Sequence, residues 1–134
     1  MGGRGSRSGI KSYTYGTEYY SVGQIDNVKF IRQRTIAIKL PLETRSNNRI
    51  YFLLDRDNRL KKVGFYNEEG KQTIRIDVLG KAHKGIDTPH AHDAHYDDKG
   101  YVKFDDARVL SKNEIDILNK YRKEGLKYGF IRKT

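Results

Sequence analysis

The chain has 134 residues, enough for one domain on the usual scale of roughly 100–200 residues and too few for two cores. Charged residues make up 33% of it, above the usual ~25%, and 27 Lys and Arg against 17 Asp and Glu leave a net charge of +10, which favours polyanionic partners, nucleic acid first among them. The absence of cysteine excludes disulfides, thiolate zinc sites and cysteine nucleophiles, and no apolar run approaches the ~18 residues of a membrane span, so a soluble, cytoplasmic protein without membrane contact is expected.

Residues 1–12 hold four glycines and three serines with Arg4, Arg7 and Lys11, a composition that buries almost nothing and reads as a flexible basic arm. Residues 13–134 then read as a single α+β domain. Ile36, Ile38, Leu40 and Leu42 alternate with Ala37, Lys39 and Pro41, the period of two that turns one face of a strand inward, with Pro41 at an edge or strand end. Val28 and Phe30 belong to an earlier strand. Residues 49–54 and 60–66 flank the turn-rich Asp55-Arg-Asp-Asn58 as a hairpin, and Asn67-Glu-Glu-Gly70 turns the chain into a further strand over 71–79. In that strand Ile74, Ile76 and Val78 share one face and Thr73, Arg75 and Asp77 the other. The middle of the chain, about 19–79, is thus an antiparallel β-meander.

A sheet of this kind needs a cover, and a C-terminal helix supplies it. Ser111 followed by Glu114 fits a capping box, with Leu110 and Ile115 placed for a hydrophobic staple. Ile115, Leu118, Tyr121 and Leu126 make the apolar stripe, Lys120, Arg122, Lys123 and Lys127 suit the negative end of the helix dipole, and Gly125 or Gly129 ends it.

All four histidines lie between residues 83 and 95, in a segment whose Gly80, Gly85, Pro89 and Gly100 argue for a structured loop after the meander. Three readings fit. His83, His90 and His92 with Lys84 suit general acid–base cleavage of RNA without a metal or other cofactor: one imidazole takes the 2′-OH proton, another protonates the leaving 5′-oxygen, and a cation holds the phosphorane charge. Alternatively His90, His92 and His95 bind a metal, since an H-x-H pair on an extended segment puts both rings on one side. In the third reading the rings only pack and hydrogen-bond, with Asp87, Asp93, Asp97 and Asp98 as partners. Residues 81–106 carry six Asp against four Lys, an acidic patch on a basic protein.

From Lys29 to Lys62 the balance is the opposite, net +7 in 34 residues. Arg32, Arg34, Arg45, Arg49, Arg56 and Arg59 are the candidates for a phosphate-tracking groove, the alternative being a solvated sheet face. Tyr13, Tyr15, Tyr19 and Tyr20 either stack on unpaired bases or seal a thin core, the latter favoured for Tyr19 and Tyr20.

The opening Met1-Gly-Gly-Arg-Gly-Ser-Arg-Ser-Gly9 resembles the leader of small proteins from phages and mobile elements of Gram-positive bacteria. Residues 63–95, with Phe65-Tyr66-Asn67-Glu68-Glu69-Gly70-Lys71, His83-Lys-Gly85 and Pro89-His90-Ala-His92, are similar to a histidine-containing module at the C-termini of phage head-associated and polymorphic-toxin-like proteins. The resemblance implies a ribonuclease or effector, and small proteins of this look include anti-CRISPRs that attack Cas9 guide RNA. The expected function is therefore an RNA-directed phage or mobile-element effector, cleaving or binding RNA, whose partner is RNA or a ribonucleoprotein such as Cas9 with its guide. The rival class is a non-enzymatic inhibitor that blocks a nucleic-acid-binding protein through its charge.

Overall fold

The structure, a computed structural model, describes residues 6–7, 19–33, 40–41 and 43–132. Among these, the strands β2 (Tyr19–Ile25), β3 (Val28–Gln33), β5 (Ile50–Leu54), β6 (Leu60–Tyr66), β7 (Gln72–Asp77), β8 (His90–Tyr96) and β9 (Val102–Phe104) form one seven-stranded sheet in the order β2-β3-β5-β6-β7-β8-β9. Two short strands, β1 (Ser6–Arg7) and β4 (Glu43–Thr44), pair separately, and α1 (Lys112–Lys127) is the helix. The fold is α+β, with a C-terminal helix packed on a sheet.

Both expected turns form, and for the expected reason. Asp55 Oδ1 accepts from the backbone of Asp57 and Arg59, and Asn67 Oδ1 from that of Glu69 and Lys71, so each side chain closes its own hairpin. Two features of the sheet differ from the sequence reading. The β3–β5 pair is parallel, where a meander would make it antiparallel. The histidine segment is also not wholly a loop: its second half is β8, which extends the sheet beyond residue 79 and pairs with β7. The alternation expected over Ile36–Leu42 and nearly all of the basic arm lie outside the described residues; Leu40 and Pro41 are buried.

The ladder registers decide which residues meet the helix. Phe30, Phe52, Val63, Ile76 and Ala91 stand in one row across five strands, all fully buried, and form the main core with Leu118, Tyr121 and Ile131. Tyr19, Ile31, Leu40, Tyr51, Leu53 and Tyr66 make a smaller core on the opposite face. At the β7–β8 end this second face changes character, and the same alternation that buries Ile76 and Ala91 turns Arg75, Asp77, His90 and His92 to the other side.

In α1 the capping box is present: Ser111 Oγ accepts from Glu114 N at 3.2 Å and Glu114 Oε1 from Ser111 N at 2.9 Å. The inward row is Glu114, Leu118, Tyr121 and Gly125, not a row beginning at Ile115, which is 42% exposed. Gly125 belongs to this row because a Cβ there would stand 2.8 Å from both Phe30 and Ile131. Gly129, at φ +80°, ends the helix, its N–H reaching Leu126 O while Phe130 N–H reaches Gly125 O. Ser111→Ala is expected to lower stability by about 0.5–2 kcal/mol in thermal or urea unfolding.

Candidate functional site

The register of β7 on β8 builds the site. Arg75 pairs with His92 and Asp77 with His90, so two imidazoles, a carboxylate and a guanidinium share one face of two adjacent strands. The β7–β8 connection brings His83 over them through a small bridge between His83 and Ile86. After β9 the chain returns along β8, where Asp105 N donates to Asp93 O and Ala91 and Arg108 exchange both backbone hydrogen bonds. That return segment supplies the last wall. The result is an open cleft of about 350 Å³ with Asp77, His90 and His92 on its floor and Arg75, Lys81, His83, Phe104, Asp105 and Asp106 around them.

His83, His90 and His92 come together, their ring centroids 4.9 Å (His90–His92), 5.4 Å (His83–His92) and 6.4 Å (His83–His90) apart. His90 and His92 are buried; His83 is half-exposed. His90 Nδ1 lies 3.0 Å from Ile86 O and His92 Nδ1 2.7 Å from Asp105 O. A nitrogen that close to a carbonyl oxygen must carry hydrogen, so the backbone fixes both rings with Nδ1–H donating and Nε2 turned inward. Both Nε2 atoms lie 3.2 Å from the same oxygen, Asp77 Oδ2.

Asp77 meets Arg75 through both oxygens. Oδ1 faces Arg75 Nε at 3.0 Å, close enough for an ion pair but not aligned as a hydrogen bond, and these two atoms are buried without a hydrogen-bond partner among the described residues, while Arg75 Nη2 donates to Oδ2 at 3.4 Å. Arg75 also lies over the Phe104 ring, 4.6 Å from its centroid, which holds the guanidinium at the cleft wall. Lys84, in the left-handed region at φ +49°, puts Nζ 2.9 Å from Asp106 Oδ2, and His83 Nε2 is 3.5 Å from Asp106 Oδ1. Hydrogen bonds from Lys84 and His83 hold the exposed Asp106 carboxyl below the ordinary carboxylate range.

His95 is not part of this cluster. It alternates onto the other side of β8 and pairs with Asp105 Oδ2 at 2.6 Å, so the grouping His90, His92, His95 does not assemble. The residue that takes its place is Asp77, which lies thirteen residues before His90 and is brought in only by strand pairing.

The arginine stretch is dispersed. Arg45 and Arg49 precede β5 at one end, and Arg56 and Arg59 follow it at the other, the length of a five-residue strand or roughly 17 Å away. Arg59 pairs with Asp55 and Asp57, while Arg32 donates to Arg56 O and lies over the Tyr20 ring. Arg49 donates to Ser46 Oγ and lies over Tyr51. Arg34, Tyr13 and Tyr15 fall outside the described residues. Tyr19 is buried in the smaller core, as expected for a sealing role.

A second charged assembly supports the site from the far side of β8. The Arg108 guanidinium spends all five N–H groups: Nε and Nη2 on the two Asp93 oxygens at 2.8 and 3.0 Å, Nη1 and Nη2 on the two Glu114 oxygens at 2.9 and 2.8 Å, and Nη1 on Val109 O at 3.0 Å. These hydrogen bonds hold the Asp93 and Glu114 carboxyls below the ordinary range and raise Arg108 further. One side chain thus ties the return segment, β8 and α1 together.

No helix among the described residues is long and apolar enough to cross a membrane. No curated protein and no solved structure matches the chain. Residues 30–100 match the family described as bacterial toxin 24 (Ntox24), a span that runs from β3 past β8 and takes in Arg75, Asp77, His83, His90 and His92. Since that match covers more than half of its length, the chain belongs to the bacterial toxin 24 family.

Proposed function

We propose that this toxin acts by cleaving RNA, with the chemistry in the cleft between β7, β8 and the return segment. The observation that carries the reading is the convergence of three imidazoles, His83, His90 and His92, in one cleft with an arginine in its wall. Imidazoles transfer protons or hold metal ions near neutral pH, and Arg75 and Lys81 are placed to meet phosphate oxygens. Arg75 is held by its stacking on Phe104, and Phe104 gives the wall an aromatic face for a base. The net charge of +10 draws a polyanion to the surface, and the dispersed arginines suit many weak phosphate contacts rather than one track. Lys84 acts on Asp106, and so on the position of His83, rather than on the substrate directly.

The geometry narrows how the imidazoles share the work. Acid and base in an in-line displacement stand on opposite sides of the phosphate. His90 and His92 instead direct both Nε2 atoms to one carboxylate oxygen, so they act as a unit, with His83 facing them from the connecting segment.

The test is incubation of the purified protein with total RNA and with a guide RNA, free and bound to Cas9, followed by analysis of fragments. Wild-type protein is expected to fragment RNA in a manner that weakens steeply with salt, and His92→Gln to leave it intact. Attack on the Cas9-bound guide is the outcome expected of an anti-CRISPR role. RNA left whole by the wild type in every arm would overturn the reading and leave the charged surface as a means of blocking another protein.

A further inference from the structure

We propose that His90 Nε2, His92 Nε2 and Asp77 Oδ2 hold one divalent transition-metal ion of the zinc type, and that this ion is the hydrolytic centre of the toxin. The inference rests on the RNA-cleavage reading for the substrate, but not for the site itself. Three observations support it.

The first is distance. Two ligands about 2.0–2.1 Å from a tetrahedral ion stand about 3.3 Å apart. Each imidazole Nε2 lies 3.2 Å from Asp77 Oδ2, and one ligand atom from each of the three residues lies within 4.8 Å of the other two. The second is the surrounding support. Metal-bound histidines commonly donate their other N–H to a carbonyl or carboxylate, and here Ile86 O and Asp105 O receive both Nδ1–H groups. With both Nδ1–H groups committed to these carbonyls, the two Nε2 atoms face one anionic oxygen. A positive charge belongs between them, and a single metal ion satisfies all three donors at once.

The third observation is charge. Asp77, Asp105 and Asp106 line the cleft with Arg75 and Lys81, three acidic residues against two basic ones in a protein that is otherwise strongly basic. The Asp77 carboxylate on the floor repels phosphate; with a dication on it the floor attracts phosphate. Arg75 lies closest to Asp77 through Nε and Oδ1, at 3.0 Å, and its longer contact from Nη2 to Oδ2, at 3.4 Å, adds a cation beside the oxygen that the two imidazoles share. Three protein ligands with the fourth position open to a cleft is the arrangement of catalytic zinc rather than structural zinc.

The reaction that follows adds one water across one P–O bond. Metal-bound hydroxide forms the new bond to phosphorus, the bond to the leaving nucleoside oxygen breaks, and the proton displaced from the water ends on that oxygen. The products are a phosphomonoester and an alcohol. Because water and not the 2′-OH is the nucleophile, no 2′,3′-cyclic phosphate forms.

The test uses the full chain, first stripped with a chelator and dialysed, then titrated with Zn²⁺ by calorimetry and with Co²⁺ by visible absorption. One ion per chain is expected, with a tetrahedral Co²⁺ spectrum and a raised melting temperature for the wild type. His90→Gln and His92→Gln should weaken binding at least tenfold, and His95→Gln should leave it unchanged. The wild-type melting and absorption measurements stand even where a ligand variant fails to fold. RNA digestion by the stripped and reloaded protein separates the two readings. Stoichiometric binding without RNA cleavage supports the metal centre and removes the RNA reading. Cleavage by stripped protein with cyclic phosphate ends, absence of stoichiometric binding, or equal weakening by His95→Gln overturns the metal centre, the first of these while leaving RNA cleavage standing.

Discussion

Arg108→Met is expected to lower the stability of the fold by about 2–4 kcal/mol at neutral pH, read from the urea midpoint. Breaking a buried pair by removing one partner typically costs ~3–5 kcal/mol, because the remaining charge is left buried without compensation. Glu114 is in that position, 5% exposed and pointed at the core side of α1. Asp93 and Arg108 are more open, at 40% and 33% side-chain exposure, so solvent screens their share and the lower part of the range is included. The effect has a definite pH dependence. Hydrogen bonds from Arg108 lower both carboxyls below their ordinary ~4, so the stability they contribute is fully present above that value and is lost as pH falls through their folded values. The gap between wild type and variant should therefore shrink as the pH falls from neutral to below the ordinary carboxylate range. Replacing Glu114 by Gln in the same chain should recover part of the loss, since the buried charge is then gone. A gap that stays constant with pH would mean that Arg108 acts through packing of its stem alone.

The second large effect is expected at Asp77. Asp77→Asn keeps the shape of the side chain and its place at the end of β7 opposite His90, but removes the anionic oxygen on which both imidazoles converge. Loss of a proton-transfer group costs roughly 10²–10⁴ in rate, and loss of a metal ligand is at least as severe, so RNA cleavage should fall by that order under either chemistry. Melting temperature should change little, because the carboxylate is taken out of a cleft rather than out of the core. His95→Gln, three residues from His92 but on the other side of β8, should keep wild-type cleavage. Steady-state cleavage of a single-stranded oligoribonucleotide measures both, and equal losses in the two variants would contradict the assignment of the cleft.

Much of the fold was legible because it depends on neighbours in sequence. Asp55 and Asn67 close their turns with their own backbone, and Ser111 meets Glu114 three residues on. The alternation of Ile74, Ile76 and Val78 with Arg75 and Asp77 was also local, and it placed the two sets on opposite faces. The parallel β3–β5 pair was not legible, because a parallel pair is not closed by a hairpin turn and so leaves no local turn signal in the sequence. Nor was the inward turn of α1. Ile115 is the more apolar residue, but the rotation of the helix that satisfies Arg108 buries Glu114 and turns Ile115 out.

The candidate site divides along the same line. His90 and His92 share a side of β8 because they are two apart, which the H-x-H spacing already states. His95 shares the motif but not the side. Asp77 and Arg75 enter only through pairing of β7 with β8, and Asp105 enters through its carbonyl, a group every residue possesses and no sequence pattern marks. The available signal for Asp77 was its place on the polar face of a strand next to the histidine segment. The arginines show the converse: clustered in sequence, Arg45 and Arg49 lie before one end of β5, Arg56 and Arg59 beyond the other, and Arg32 on β3.

Toxicity on expression tests most directly whether the cleft is where this toxin acts. Growth after induction is compared for wild type and a His90→Gln/His92→Gln variant, with soluble protein levels and RNA integrity measured in the same cultures. Growth arrest with fragmented RNA is expected for the wild type, and normal growth with intact RNA for the variant at equal soluble yield. Equal arrest by both proteins, with the variant folded and present at the same level, would contradict it.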